Sequence, residues 1–176
     1  MSEGANGYDV RIRALVSVHE TESGTPALQK TIFDFKHMPS DPTVASHVIQ
    51  EPDDRSGKTR FAYRLDPDET VHAGIGFIVE MPFPLCYLIF QKTGLMTKQK
   101  IVITNAPSIV DSDFRGEATL AIRNAGEKPF MLHHRIRIAQ IKFEWAIIPN
   151  LIPQSRFEDL SSTSRGDKGL GSTGLL

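Results

Sequence analysis

The segment Ile109–Glu117 reads Ile-Val-Asp-Ser-Asp-Phe-Arg-Gly-Glu and holds the residues best suited to chemistry. Asp111 places a carboxylate near the ring of Phe114, and Arg-Gly follows, which is typical of a tight turn between two apolar strands. A carboxylate beside a ring suits a site that activates water against a nucleotide. The same residues also fit an ordinary hairpin, and the segment alone does not decide between the two interpretations.

The glycine-rich end of the chain carries a second candidate. Gly169–Gly174 matches the dinucleotide fingerprint literally, but that fingerprint opens a helix, and only two leucines follow here. One interpretation is a flexible end. The other is a phosphate clamp, in which backbone N–H groups with Ser172, Thr173 and Arg165 close over a polyphosphate as a lid.

The elements that must position these residues are strands. Residues 8–16, 101–103, 117–124 and 135–143 are alternating or β-branched runs, separated by turn clusters at 105–108 and 124–129. No long amphipathic helix and no internal repeat is evident in the sequence. Short strands at close spacing predict an all-β sandwich or jelly roll.

Composition narrows the class of protein. The chain has 176 residues, a formal net charge of -1 and one cysteine. Near-neutral charge argues against direct nucleic-acid binding or a membrane-surface role, and we expect neither. A single cysteine allows no internal disulfide and fits a reducing cytoplasm. The most apolar stretch carries Glu80 and two prolines, so we expect no membrane span.

Five short motifs, in order, resemble those of the homotrimeric dUTP pyrophosphatases (dUTPases). Residues 5–10 resemble AGYDL, residues 92–96 resemble RSGLA, and residues 109–117 resemble the third motif. Residues 135–140 end in the RIAQ of the fourth motif, and residues 165–174 resemble the glycine-rich fifth. The match covers residues 5–18 and about 70–174.

This resemblance implies a distorted jelly roll that assembles as a homotrimer, with active sites between subunits. It implies hydrolysis of dUTP to dUMP and pyrophosphate, with Mg2+ on the triphosphate. Asp111 would deprotonate the attacking water, Phe114 would stack beneath the deoxyribose, and Asn105 would lie in the uracil-binding hairpin. Asp9 would reach the metal through water only. The expected phosphate- and arm-side contacts are Lys92, Thr93, Gly94, Gln140, Arg165, Leu170, Gly171, Ser172 and Thr173.

Several positions depart from the family pattern. Lys92 replaces an arginine and loses the planar fork that grips phosphate. Leu170 replaces the phenylalanine of the arm, which normally stacks on the base. Arg135-Ile136 replaces a Gly-acid pair, so we expect that turn to differ. These changes keep open a non-catalytic nucleotide-sensing or protein-binding module. The related dCTP deaminases need a glutamate where Ala121 stands, so deamination is disfavoured.

The domain organisation predicted from the sequence is one β domain over residues 1–160 and a mobile arm over residues 161–176. The domain carries an unmatched insertion at about residues 19–69, rich in Pro, Asp, Ser and Thr. One hypothesis is that this insertion recruits a partner protein. The alternative is a tolerated loop or extra hairpin, because long surface insertions cost little free energy.

Overall fold

The computed structural model describes residues 5–19, 28–53, 57 and 59–166. The chain divides into two compact units, residues 1–146 and residues 147–176. The first unit contains the sheets. In the second, the described residues include a short 3-10 helix at Phe157–Asp159. An ion pair spans it, with Arg156 Nη2 3.1 Å from Asp159 Oδ1.

Nearly all of the regular secondary structure in the described part of the first unit is strand. In chain order these are β1 (Tyr8–Arg11), β2 (Ala14–His19), β3 (Leu28–Phe33), β4 (Val48–Pro52), β5 (Thr59–Leu65), β6 (Thr70–Gly74), β7 (Leu85–Gln91), β8 (Ile101–Ile103), β9 (Ser108–Val110), β10 (Thr119–Asn124), β11 (Phe130–His133) and β12 (Arg137–Trp145). Two short helices interrupt them, α1 (Pro42–Ala45) and α2 (Thr93–Gln99). The all-β prediction is confirmed.

Local sequence explains where these helices begin and end. Asp41 caps α1, because its Oδ1 accepts the backbone N–H groups of Thr43 at 2.8 Å and Val44 at 3.3 Å. Pro42 occupies the first turn, where a missing N–H costs nothing. α2 ends at Lys100, whose φ of 58° is left-handed and stops the helix.

The strands form three antiparallel sheets. Their strand orders are β1-β12-β7-β9, β3-β2-β6-β10-β8 and β11-β5-β4. Inward-facing residues of all three sheets make one apolar core, with Leu15, Leu65, Leu120 and Leu132 fully buried. Alternation in the sequence places these residues on one face of each strand.

The segment before Glu69 is an integral part of this core. β3 pairs with β2, and the hairpin β4–β5 pairs with β11. Phe33 is 2% exposed, Phe35 4% and Tyr63 6%. Removing residues 22–64 would therefore strip large side chains from the core, so the segment is more than a tolerated surface loop.

None of the helices among the described residues is long and apolar enough to cross a membrane.

The turn before β12 keeps an unusual backbone conformation. Arg135 has a φ of 61°, in the left-handed region that favours glycine. Its N–H donates to Ile12 O at 3.2 Å, and its carbonyl accepts Arg11 Nη1 at 2.8 Å. These two hydrogen bonds hold the turn in this conformation. Because Arg135 has a Cβ, its left-handed backbone is strained, and a glycine would avoid that strain.

Replacing Arg135 by glycine is therefore expected to stabilise the protein. A non-glycine residue in the left-handed region destabilises the folded state by about 1–2 kcal/mol, which glycine avoids. Glycine also gives the unfolded chain more conformational freedom, and this cancels part of the gain in stability. The net expectation is about 0.5–1 kcal/mol, measured as a higher melting temperature. Arg135→Ala is the matched control, since it removes the same side chain but keeps the Cβ. Equal stabilisation by both variants would contradict the explanation.

Candidate functional site

A cavity of about 290 Å³ opens beside the end of β9. It brings together three residues that the sequence assigned to one site: Asn105, Asp111 and Phe114. Asp111 comes directly after the last residue of β9, and Asn105 lies in the turn between β8 and β9. The complete lining is Gln29, Ile89, Asn105, Ser108, Ile109, Val110, Asp111, Phe114, Glu117, Ala118 and Thr119.

The turn over this cavity connects β8 in one sheet to β9 in another and is held by the side chain of Asn105. Its Nδ2 donates to Thr119 O at 2.8 Å, and its Oδ1 accepts the N–H of Ala121 at 2.9 Å. Ser108 Oγ also donates to the carbonyl of Asn105. Because both ends of the amide are engaged with β10, the side chain fixes the turn between β8 and β9 against that strand.

Asp111 and Phe114 lie on one tight turn. The N–H of Phe114 donates to Asp111 O at 3.3 Å, and Arg115 Nη1 donates to Ser112 O at 2.6 Å. Within the described residues the Asp111 carboxylate makes no hydrogen bond or ion pair, and the residue is exposed. The carboxylate is therefore available to bind a water molecule at the mouth of the cavity.

Gly116 sets the position of the Phe114 ring. A Cβ at residue 116 would lie 2.5 Å from Phe114 Cζ, far inside contact distance. Gly116→Ala is therefore expected to displace the ring while leaving the fold intact, because the ring can swing outward. We expect a loss of roughly tenfold in kcat/KM for dUTP, the implied substrate, because small misplacements of positioning groups cost this much or more.

Melting temperature and kcat/KM measured together test this prediction. Gly94→Ala serves as the matched control for stability, since a Cβ there meets nothing within 4 Å. An unchanged kcat/KM in Gly116→Ala would show that the ring position is unimportant.

Glu117 is the anchor of this turn, a role that the sequence did not reveal. Arg13 grips its carboxylate twice, with Nε 3.2 Å from Oε1 and Nη2 2.9 Å from Oε2. The N–H of Gly76 donates to Oε1 at 2.5 Å. A Cβ at Gly74 would lie 2.5 Å from the same oxygen, so the carboxylate needs a glycine there. The hydrogen bond to Glu117 raises the pKa of Arg13, so the arginine stays charged.

A second constellation gathers residues from the first, second and fourth motifs. Asp9 Oδ1 accepts Lys92 Nζ at 2.6 Å and Gln140 Nε2 at 3.3 Å, and Arg137 Nη1 lies 3.4 Å from Asp9 Oδ2. The hydrogen bond from Lys92 is the largest cause that lowers the pKa of Asp9. Lys92 and Arg137 carry two positive charges against the one negative charge of Asp9, and this net positive charge favours binding of a phosphate group.

The remaining predicted contacts of the second motif lie beside this constellation. Lys92 is the N-cap residue of α2, and Thr93 and Gly94 form its first turn. Both are exposed, and the space above Gly94 is open. These residues lie next to one another in the structure, and their contact with phosphate stays a prediction.

The two groups of residues lie at opposite ends of β7. Lys92 follows Gln91, its last residue, and Phe90 of β7 pairs with Gln140. Asp111 follows Val110, which pairs with Tyr87 near the other end. This register puts Asp111 level with Cys86. Cys86 and Lys92 are six steps apart along the chain, so at about 3.3 Å per step the two groups are about 20 Å apart along the strand.

The glycine-rich arm lies mostly outside the described residues. Leu170, Gly171, Ser172 and Thr173 fall in that part of the chain, so their predicted role stays a prediction. Arg165 is described and exposed. The predicted boundary at residue 160 likewise stays a prediction.

One further group in the described residues has the chemistry of a metal site, His47, Asp66 and Glu69. Its ligand atoms are already engaged. Glu69 accepts Tyr63 OH at 2.6 Å and the N–H of Asp66 at 2.7 Å, Arg64 holds both oxygens of Asp66, and His47 Nδ1 lies 3.0 Å from the Arg64 carbonyl. A metal ion would have to displace these bonds, so the group is a structural clamp between β5 and the turn that follows.

Comparisons with known proteins agree with this arrangement. The family model for dUTPase matches residues 60–174. A deoxyuridine 5'-triphosphate nucleotidohydrolase of Orientia tsutsugamushi (strain Ikeda) is 35% identical over 117 residues, which cover 63% of this chain and 73% of that protein. One from Corynebacterium glutamicum is also 35% identical, over 111 residues that cover 62% of this chain and 72% of that protein.

Comparison with solved structures shows that the fold also resembles that of dUTPases. The dUTPase from Streptococcus mutans matches with a TM-score of 0.53 at 12% identity, covering 85% of this chain and 84% of that one. Staphylococcus bacteriophage 80alpha dUTPase with dUPNHPP matches with a TM-score of 0.52 at 20% identity, covering 72% and 92%. The predicted dUTPase-like jelly roll is confirmed. On the motifs, the family model and the related sequences together, the chain belongs to the dUTPase family.

Proposed function

We propose that this protein hydrolyses dUTP to dUMP and pyrophosphate. The observation that carries the proposal is the cavity in which Asp111 and Phe114 lie beside the β8–β9 turn, which the Asn105 side chain holds in place. In this proposal, main-chain groups of that turn complement the edge of a uracil base and leave cytosine's amine poorly matched. Because an unmatched buried hydrogen-bonding group costs about 1–3 kcal/mol, a pocket of this kind is selective.

Asp111 supplies the chemistry in this proposal. Its carboxylate takes a proton from a water molecule, whose oxygen attacks the α-phosphorus. The bond from the α-phosphorus to the bridging oxygen breaks, and pyrophosphate leaves with the electron pair. Phe114 packs beneath the deoxyribose and leaves no room for a 2′-hydroxyl, so UTP is excluded.

The phosphates are held by the constellation around Asp9. Lys92 and Gln140 contact them directly, with Thr93 and Gly94 beside them, and the net positive charge favours binding. The arm residues Arg165, Leu170, Gly171, Ser172 and Thr173 close over the triphosphate as a lid.

Magnesium fits this site as an ion that arrives on the triphosphate. Both oxygens of Asp9 are engaged, by Lys92 and Gln140 on one side and by Arg137 on the other. Asp9 is therefore suited to contact the metal through its water shell, as expected for Mg2+. When bound, the ion neutralises charge on the phosphates.

A complete site requires more than one subunit. The phosphates next to the reacting phosphorus lie within a few ångströms of it, whereas Asp111 and Lys92 of one chain are about 20 Å apart along β7. Asp111 of one subunit must therefore meet Lys92 of another. Large exposed side chains on the first unit also favour assembly, among them Ile78, Phe83, Ile109 and Trp145. We propose a homotrimer, the family's assembly.

Mixing two inactive variants is expected to restore activity. Asp111→Asn destroys the water-activating half of a site, and Lys92→Ala combined with Gln140→Ala destroys the phosphate half. When equal amounts of the two variants are reassembled into trimers, each half of a site is intact with a chance of about one half. About a quarter of the sites therefore combine an intact Asp111 with an intact phosphate half. Pyrophosphate release should recover to about that fraction of the wild-type rate. Mixtures as inactive as their parents would show that each subunit holds its own complete site.

Pyrophosphate release from dUTP, dCTP, dTTP and UTP with Mg2+ tests the proposed reaction. We expect fast release from dUTP alone. Release from dCTP as well would mean that the β8–β9 turn accepts cytosine as well as uracil. Binding of dUTP without turnover would identify a nucleotide-sensing module instead.

Two broader features belong to the same proposal. The single cysteine, Cys86, fits a cytoplasmic enzyme, because no disulfide is needed. A partner protein at residues 19–69 stays a hypothesis, since the described part of this segment packs into the protein's own core.

A further inference from the structure

We propose that Arg135 is a further substrate-binding residue, whose guanidinium contacts the outer phosphates of the nucleotide through two N–H groups at once. The proposal rests on the proposed function, because that function places the phosphates around Asp9. Arg135 lies in the left-handed turn before β12 and is not among the positions that the sequence assigned to the site.

A second cavity opens beside the constellation around Asp9. Its volume is about 450 Å³, and both Asp9 and Arg135 line it. The buried side chains of Ile12 and Ile75 also belong to its lining. The open space next to the proposed phosphate-binding residues is therefore also the space next to Arg135.

The charges that line this cavity are unbalanced. Its lining contains one carboxylate, that of Asp9, and three arginines, Arg11, Arg13 and Arg135. Asp9 already has cationic partners, and Arg13 is paired with Glu117. Within the described residues, neither Arg11 nor Arg135 forms an ion pair. Two uncompensated positive charges beside one cavity favour an anionic ligand.

The Arg135 side chain is free to bind, whereas its backbone is anchored. The residue is exposed, and its guanidinium donates no hydrogen bond in the part of the chain that the structure describes. The backbone N–H donates to Ile12 O, and the carbonyl accepts Arg11 Nη1. Strained backbone conformations are concentrated at ligand-binding sites. An arginine at a position where glycine would be more stable therefore points to a role for its side chain.

Arg135 lies within reach of phosphates held at Asp9. Ile12, to which its N–H is bound, is three residues along the chain from Asp9. At about 3.3 Å per residue, this is about 10 Å at most. An extended arginine side chain and the outer phosphates of a triphosphate together bridge such an interval. Because the α-phosphorus must lie at Asp111, we assign Arg135 to the two phosphates that leave as pyrophosphate.

Arg135 offers a contact that Lys92 does not. The Lys92 ammonium is a compact charge without a planar fork, and its Nζ lies 2.6 Å from Asp9 Oδ1. A guanidinium presents two parallel N–H groups that match two oxygens of a phosphate. Arg135 therefore supplies the two-pronged contact in this region.

Binding of inorganic pyrophosphate to the full-length protein, with Mg2+ present, tests the proposal without requiring catalysis. Arg135→Gly removes the side chain and relieves the backbone strain. We expect its melting temperature to rise while pyrophosphate binds roughly tenfold more weakly or worse, the loss typical of a charged hydrogen bond. Because the two effects have opposite directions, unfolding does not explain the loss. Binding of dUMP should weaken much less, since dUMP lacks the two outer phosphates.

Two further variants separate a direct contact from a general effect of charge. Arg123→Ala removes one positive charge from β10, outside the cavity, and should leave pyrophosphate binding unchanged. Arg135→Lys keeps the charge, removes the fork and should recover only part of the lost affinity. Full recovery by lysine would overturn the two-pronged contact. Unchanged pyrophosphate binding in Arg135→Gly, or an equal loss in Arg123→Ala, would overturn the proposal as a whole.

The proposed reaction and this inference fail separately. Pyrophosphate binding that depends on Arg135, without turnover of dUTP, would support the inference and refute the reaction. Turnover of dUTP with the same pyrophosphate affinity in wild type and Arg135→Gly would support the reaction and refute the inference.

Discussion

Replacing Asp111 by asparagine is expected to lower kcat for dUTP by about 10²–10⁴-fold, the usual contribution of a general base. Asparagine matches aspartate in size, but its amide does not take a proton from water. KM should change little, because the base and the phosphates are held by other groups. The carboxylate makes no bond within the described residues, so the fold should lose no stability. Single-turnover pyrophosphate release, with the melting temperature, measures both expectations.

The matched control is Asp113→Asn. Asp113 lies two residues away on the same turn and is also exposed, but it does not line the cavity. This variant should keep near-wild-type kcat, since it changes the charge of the turn by the same amount. A large loss in both variants would mean that the net charge of the turn, and not a base at residue 111, drives the reaction.

Replacing Asn124 by alanine is expected to destabilise the protein by about 3 kcal/mol or more, because each buried group left unsatisfied costs about 1–3 kcal/mol. Asn124 is 0% exposed. Its Nδ2 donates to Leu65 O at 3.0 Å and to Lys128 O at 2.9 Å, and its Oδ1 accepts the N–H of Gly126 at 2.9 Å. The side chain thereby joins β5, β10 and the following turn, and alanine removes all three bonds.

Thermal unfolding at one fixed protein concentration measures this effect, since assembly also contributes to apparent stability. Asn150→Ala, at an exposed position, is the matched control and should lie within about 0.5 kcal/mol of wild type. A similar small change in Asn124→Ala would show that water replaces the lost bonds.

Strands could be predicted from the sequence because alternating apolar and polar residues indicate which side chains face the core. The run 101–103 became β8, and the turn clusters at 105–108 and 124–129 separate strands as expected. Residues 8–16 form two strands, β1 and the start of β2, and not one, since the chain leaves one sheet and enters another between them. Sheet exchange of this kind depends on the partners of each strand, which periodicity does not encode.

The segment before Glu69 was harder to predict. Its alternation is weak, yet Phe33 and Phe35 pack into the core, with ring centroids 4.6 Å apart. The replacement of a family glycine by Arg135 predicted a turn that differs from the family's, and this stays a prediction. The Arg135 backbone has a left-handed φ of 61°, and flanking hydrogen bonds hold it in place.

The candidate site was predictable only where its residues are close in sequence. Asp111 and Phe114 share one turn, so their proximity follows from the chain itself. Gln29 and Arg13 reach Glu117 from 88 and 104 residues away, through pairings of β3, β2 and β6 that no local pattern reveals. The composition of the segment around Gln29, polar and irregular, suggested a loop.

The turn between β8 and β9 has a consequence for how nucleotide choice can be lost. Its position over the cavity depends on one side chain, because the Asn105 amide makes both of its contacts with β10. A substitution of Asn105 removes both contacts at once, so we expect selectivity to be lost in a single step and not gradually.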